Sequence, residues 1–145
     1  MNDPFNLGRF VAAQSRTYAD AIEELRRGRK TSHWMWFVFP QIAGLGWSPP
    51  ARFYAIASLA EARAFMDHPV LGPRLRESVA AMMKHEALSA HDILGATDAM
   101  KLRSSLTLFA EACPEDPLFA DALARFFAGE ADPLTLAKLG QPGAR

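Results

Sequence analysis

Two polar clusters carry the side chains with which this sequence could do chemistry. The first is Lys30-Thr31-Ser32-His33-Trp34-Met35-Trp36-Phe37-Val38-Phe39-Pro40-Gln41, which sets a cation, hydroxyls, an imidazole and an amide around two of the three tryptophans. The second, Lys101-Leu102-Arg103-Ser104-Ser105, joins two cations to two hydroxyls close to a helix start. Cations and hydroxyls near a helix start can hold a phosphate or carboxylate, and indole faces can stack on a planar ring. We therefore expect a cleft for an anionic small molecule, with a nucleotide or ADP-ribose-like compound as the fitting class. Its candidate ligand contacts are Lys30, Ser32, Trp34, Trp36, Gln41, Lys101, Arg103 and Ser104. His33, at the start of a short helix, is the candidate catalytic residue, a general acid or base for any turnover.

Each feature also has a plainer reading. Arg26, Arg27, Arg29 and Lys30 complement the negative end of a helix, the aromatic run fills a core, and His33 satisfies a backbone carbonyl. The alternative function is a non-enzymatic protein-interaction module whose surface is the loop 44–50, with Trp47 beside Pro49-Pro50 as the aromatic anchor. Gly44-Leu45-Gly46 is no dinucleotide fingerprint, because no third glycine and no βαβ pattern accompany it. No metal site and no cofactor are expected. The four histidines, His33, His68, His85 and His91, lack metal-ligand spacing, and Cys113 is the single cysteine.

The elements that must position these groups read as helices. Apolar residues from Leu7 recur at three- and four-residue steps through Phe10, Val11, Tyr18, Ile22 and Leu25, broken by Gln14 and stopped at Gly28, with Asn6 or Asp3 as cap. Ser32 caps a short helix from His33 to about Val38, which ends before Pro40, with a buried strand as the alternative because a six-residue apolar run has no usable period. The stretch 41–50 reads as a loop. Ser58 opens a helix to Asp67 with capping-box spacing, and Pro69 or Pro73 opens another through Met83. Ser89 caps a short helix ending at Gly95, Thr97 or Asp98 caps the next, and Asp116-Pro117 and Asp132-Pro133 punctuate the last two. With no alternating strand pattern, the fold class is all-α, a compact single-domain multi-helix bundle of about seven helices over 3–140, with a short C-terminal tail over 141–145.

Six consecutive large apolar residues, Trp34 to Phe39, place the first cluster against the centre of that bundle. The chain has 145 residues, 50% hydrophobic and 22% charged, as an ordinary globular domain does. Sixteen basic residues balance sixteen acidic ones, so nothing draws the whole molecule to nucleic acid, and only Arg26-Arg27-Gly28-Arg29-Lys30 argues the other way. No basic, apolar leader follows Met1 and no apolar run nears the ~20 residues of a membrane span, so we expect a cytoplasmic, unprocessed protein without membrane contact.

Several blocks together resemble one bacterial family. They are Asp3-Pro4-Phe5-Asn6-Leu7, Gly28 to Gln41, Gly44-Leu45-Gly46, Tyr54 to Ala62, His68-Pro69-Val70-Leu71-Gly72-Pro73-Arg74-Leu75 and Lys101 to Phe109. From Asp3 to about Leu139 the sequence is similar to the domain-of-unknown-function 1810 family. That resemblance implies a small, mostly helical cytosolic domain and implies no reaction. The label calpastatin attached to some members finds no support here, since nothing in the chain resembles a disordered protease inhibitor.

Overall fold

A computed structural model describes residues 3–140. Asp3 opens the first helix, α1 (Gly8–Arg27), by accepting the N–H groups of Leu7 at 2.7 Å and Gly8 at 2.9 Å. First-turn donors have no partner inside a helix, so this carboxylate fills a real need. Gly28, at φ 83°, ends α1: its N–H reaches the Leu25 carbonyl, and a Cβ at this position would fall 2.7 Å from Leu88 Cδ1.

The next helix, α2 (Met35–Val38), corrects the expected start at His33. Ser32 does not cap it; its hydroxyl donates to Glu24 Oε2 at 2.5 Å, and Trp34 stands at the helix entrance without a side-chain cap. The helix stops ahead of Phe39-Pro40, as the residue before proline requires. At the end of the stretch read as a loop, and running past it, lies α3 (Pro49–Phe53), with Ser48 accepting from Ala51 N and proline at the first helical position. Ser58 caps α4 (Leu59–Asp67), and α5 (Leu71–Met83) begins between the two candidate prolines. Ser89 and Asp92 form a reciprocal capping box on α6 (Ala90–Leu94). Gly95, rather than Thr97 or Asp98, precedes α7 (Ala96–Ala112). Asp116 and Asp132 cap α8 (Pro117–Phe127) and α9 (Pro133–Lys138), each with proline first.

The fold is all-α, with nine helices among the described residues, close to the expected count of about seven, α3 being a short one that proline-rich sequence had hidden. One parallel bridge pairs Ile42 with Ile56, through Ile56 N to Gln41 O and Ala43 N to Ile56 O, both 2.8 Å. The tail expected over 141–145 lies outside the described residues.

Helix α7 runs through the middle, packed by α4, α6, α8 and α9, while α1 packs on α5 and α2. A chain of rings crosses this core: Phe10 to Phe65 at 5.1 Å, Phe65 to Phe109 at 5.4 Å, Phe109 to Phe119 at 5.7 Å. Trp34, Met35, Phe37, Val38 and Phe39 are buried against it, but Trp36 is only half-buried. The centre is thus shared between the α2 block and the α1/α4/α7/α8 ladder.

Two buried polar groups, Gln14 and Glu24, and the partly buried Arg9 pin the α1 side of the core. Gln14, the break in the apolar pattern of α1, donates its amide to the Phe37 carbonyl at 2.7 Å. Arg9 spends its guanidinium on the carbonyls of Phe5, Asn6, Phe53 and Ala55 and on Glu61 at 2.8 Å. Glu24 accepts from Thr31 N, Ser32 N, Ser32 Oγ and Trp34 Nε1, so the chain leaving α1 is folded around one carboxylate. Buried polar groups need such partners to repay lost hydration.

Candidate functional site

A cleft of about 460 Å³ opens where α2, the 41–48 loop, the first turns of α7 and the start of α9 meet. Helix α7 contributes a stripe, Thr97, Met100, Lys101 and Ser104, spaced so that all face one side. Arg103 flanks the stripe. From α2 comes Trp36, from the loop Gln41 and Trp47, and from the α9 entrance Asp132 and Leu134. The Ile42–Ile56 bridge fixes the base of the loop beside Gln41. Further along, Gly46 lies so close to α3 that a Cβ would sit 2.7 Å from Ala51 Cβ, and the next residue, Trp47, borders the cleft as an exposed side chain.

The cleft wall is aromatic and its floor cationic. Lys101 Nζ sits 5.2 Å from the centre of the Trp36 ring, a cation–π distance. Asp98, one turn before it, lies 3.4 Å from Lys101 and 2.9 Å from Lys30, so one carboxylate serves two lysines. Asp132 is occupied by its own fold: Oδ2 accepts from Ser104 Oγ, Thr135 N and Thr135 Oγ1. Arg103 donates Nε to the Glu130 carbonyl and Nη2 to the Ala131 carbonyl, both at 2.8 Å. These bonds tie α7 to the approach to α9. No hydrogen bond among the described residues engages the side-chain amide of Gln41.

The two clusters read from the sequence do meet, though not with every residue. Trp36, Gln41, Lys101, Arg103 and Ser104 line one cleft. Lys30 stands next to it through Asp98 without lining it. Ser32 and Trp34 turn away to Glu24, and Trp34 is 1% exposed. Burial opposes the ionisation of Glu24, but the bonds from Ser32, Thr31 and Trp34 outweigh it and hold the carboxyl at about 2. His33 is the clearest correction. It is exposed and lines a different, open hollow with Arg9, Arg16, Phe37, Phe53 and Tyr54, so it cannot serve as acid or base in the Trp36 cleft.

Sequence reasoning missed the roles of Asp98, Met100 and Leu134 and read Asp132 only as a cap, without its place on the cleft. Asp98 was readable as an i,i+3 partner of Lys101, and Asp132 as a cap that brings α9 against α7. Nothing local marks Met100 or Leu134. Both are exposed, at 72% and 64%, as is Trp47 at 77%, and all three border this cleft.

The comparisons agree with this architecture. Residues 4–139 match the family described as protein of unknown function (DUF1810). The chain belongs to that family. The chain is also similar to the conserved hypothetical protein Rv1873 from Mycobacterium tuberculosis, whose crystal structure it matches with 48% identity and a TM-score of 0.94. The likeness covers 95% of this chain and 99% of that one. No curated protein matches the sequence. Among the described residues, no group of three or more His, Cys, Asp or Glu side chains could hold a metal ion, and no helix is long and apolar enough to cross a membrane.

The different surroundings of His33 and Arg103 separate their expected effects. His33→Ala removes an exposed ring and should change stability by no more than about 0.5 kcal/mol. Arg103→Ala strips two carbonyls of a charged donor and should cost about 1–3 kcal/mol, visible as a lower urea midpoint at constant slope. Equal midpoints for the two variants would show that the Arg103 bonds hold nothing together.

Proposed function

We propose that the Trp36 cleft binds an anionic small molecule with a planar ring, a nucleotide or ADP-ribose-like compound. The observation that carries this reading is the placement of Lys101 over Trp36 inside a concave space of about 460 Å³, a size typical of ligand pockets. Lys101 and the outer edge of the Arg103 guanidinium take the anion, Trp36 and Trp47 take the ring, and the unengaged amide of Gln41 offers one donor and one acceptor to a ring edge. The reading is one of binding. It assigns no turnover, because the imidazole that would have moved protons lies elsewhere and Asp132 is committed to the α9 cap. We place the protein in the cytoplasm, where its one buried thiol, Cys113, suits a reducing medium.

Melting curves with AMP, ADP-ribose, pyrophosphate and uncharged adenosine test the proposal. A ligand at about 100 times its Kd adds about 2.7 kcal/mol of stability, enough to see in a melt. AMP or ADP-ribose should raise the melting temperature of the wild type and leave Lys101→Met unmoved. A shift that survives Lys101→Met, or no shift with any of the anions, sinks the proposal.

A second reading has one specific observation in its favour. Three of the four exposed large hydrophobic side chains among the described residues, Trp47, Met100 and Leu134, ring the same cleft. Such a rim suits a protein partner docking over the loop 44–50, as aromatic anchors do in interfaces. Small anions would then leave the melting temperature unchanged.

A further inference from the structure

We infer that Lys30 and Asp98 set the charge presented by the cleft: Lys30 holds the Asp98 carboxylate, so that Lys101 stays available to the ligand. The inference rests on the ligand-binding reading above and concerns two residues that do not line the cleft. Asp98 and Lys101 are three apart on α7, a spacing at which carboxylate and ammonium close on each other. If they did so here, the cation nearest to Trp36 would be neutralised. Instead Asp98 is shared unequally: Oδ2 lies 2.9 Å from Lys30 Nζ, a charge-assisted bond of ordinary length, while Oδ1 makes a longer ion pair, 3.4 Å, with Lys101 Nζ.

Burial explains which lysine wins. The side chain of Lys30 is 10% exposed and that of Lys101 is 26%, so the ammonium with less water has more need of the carboxylate. Lys30 is also fixed before any ligand arrives. Its backbone N–H donates to the Ile93 carbonyl at 2.7 Å, and its Nζ lies 5.2 Å from the centre of the Trp34 ring, whose indole N–H is anchored on Glu24. Two lysines and one carboxylate leave a single positive charge over, and the geometry delivers it at Trp36 through Lys101. Lys30 is therefore a positioning residue, acting through Asp98, and not a ligand contact.

Calorimetric titration with AMP and with ADP-ribose, on the wild type, Lys30→Met, Asp98→Asn, the double variant and Lys30→Arg, tests this. Lys30→Met should weaken binding about 5- to 10-fold, because Lys101 then turns to Asp98 and most of one charge-assisted contact is lost, where about 1.4 kcal/mol is tenfold. Asp98→Asn should tighten binding several-fold, and Lys30→Arg should stay near the wild type. The deciding result is the cycle: with Asp98→Asn in place, adding Lys30→Met should have almost no further effect. Simple loss of positive field, or loosening of the fold, would weaken both backgrounds equally, and that outcome overturns the inference. If Lys101→Met abolishes binding while Lys30→Met is silent, the inference falls and the ligand reading stands. If the wild type binds neither probe, both fall.

Discussion

Glu24→Ala is expected to destabilise the protein by at least about 3 kcal/mol, since it strands the buried Trp34 indole N–H and takes from the partly buried Thr31 N and Ser32 N their common acceptor. The carboxylate joins the last turn of α1 to the entry of α2, so its loss frees the segment that places Trp34 in the core and Lys30 beside Asp98. A milder variant reports the charge itself. The carboxyl is held at about 2 against an ordinary value of 4.5, because hydrogen bonds favour its ionised form in the native state by more than burial opposes it. A depressed native value stabilises the fold above the ordinary value, and the contribution drains away as pH falls from 4.5 towards 2. A difference of that size corresponds to about 3 kcal/mol. Asp3, Asp92 and Glu115 are lowered too, chiefly by backbone hydrogen bonds, and they add their own acid dependence to every variant. The useful quantity is thus the stability gap between wild type and Glu24→Gln, measured by urea unfolding at several pH values. It should be wide above pH 4.5 and narrow steadily towards pH 2; a gap that stays constant would mean that Glu24 acts only as a shape.

The same carboxylate shows where local sequence signals stop. Ser58, Ser89, Asp116 and Asp132 cap the helices they were read to cap, because the side chain and the donors it satisfies lie within three residues. Ser32 carries the same signal and fails, since a buried carboxylate eight residues away offers its hydroxyl a charged acceptor. Gln14 was visible as a break in the stripe of α1, but its partner, the Phe37 carbonyl, is set by packing. The candidate site divides in the same way. Lys101 and Ser104 share a face by helical spacing alone, and that much was legible. His33 and Trp36 are three apart and would share a face in a continuous helix, yet α2 begins only at Met35, and the bonds to Glu24 draw Ser32 and Trp34 inward while His33 between them stays exposed. Trp47, Met100 and Leu134 converge from three segments that carry no mark of one another, so their common rim is a product of tertiary structure.

Trp34 and Trp36, two residues apart, should therefore give opposite phenotypes. Trp34 is 1% exposed, packs on Phe39 at 6.2 Å and donates to Glu24, so Trp34→Ala opens a large cavity and removes a buried hydrogen bond at once. A loss of about 3–5 kcal/mol is expected, a large share of the ~5–15 kcal/mol that holds an ordinary domain folded. Phe37, 7% exposed, belongs with Trp34, and its truncation should fall in the same range. Trp36 stood in that class on sequence grounds, as one of six consecutive apolar residues, but the structure makes it the half-buried wall beneath Lys101. Its truncation leaves a larger cleft open to water instead of a sealed void, so Trp36→Ala should cost clearly less, about 1–2 kcal/mol, while removing the surface on which a planar ring would stack. Urea denaturation and AMP-induced melting shifts, measured on both variants, separate the two roles. If Trp36→Ala unfolds as readily as Trp34→Ala, Trp36 is a core residue and the cleft has no aromatic wall of its own; if it folds and keeps the full AMP shift, the ring is bound elsewhere.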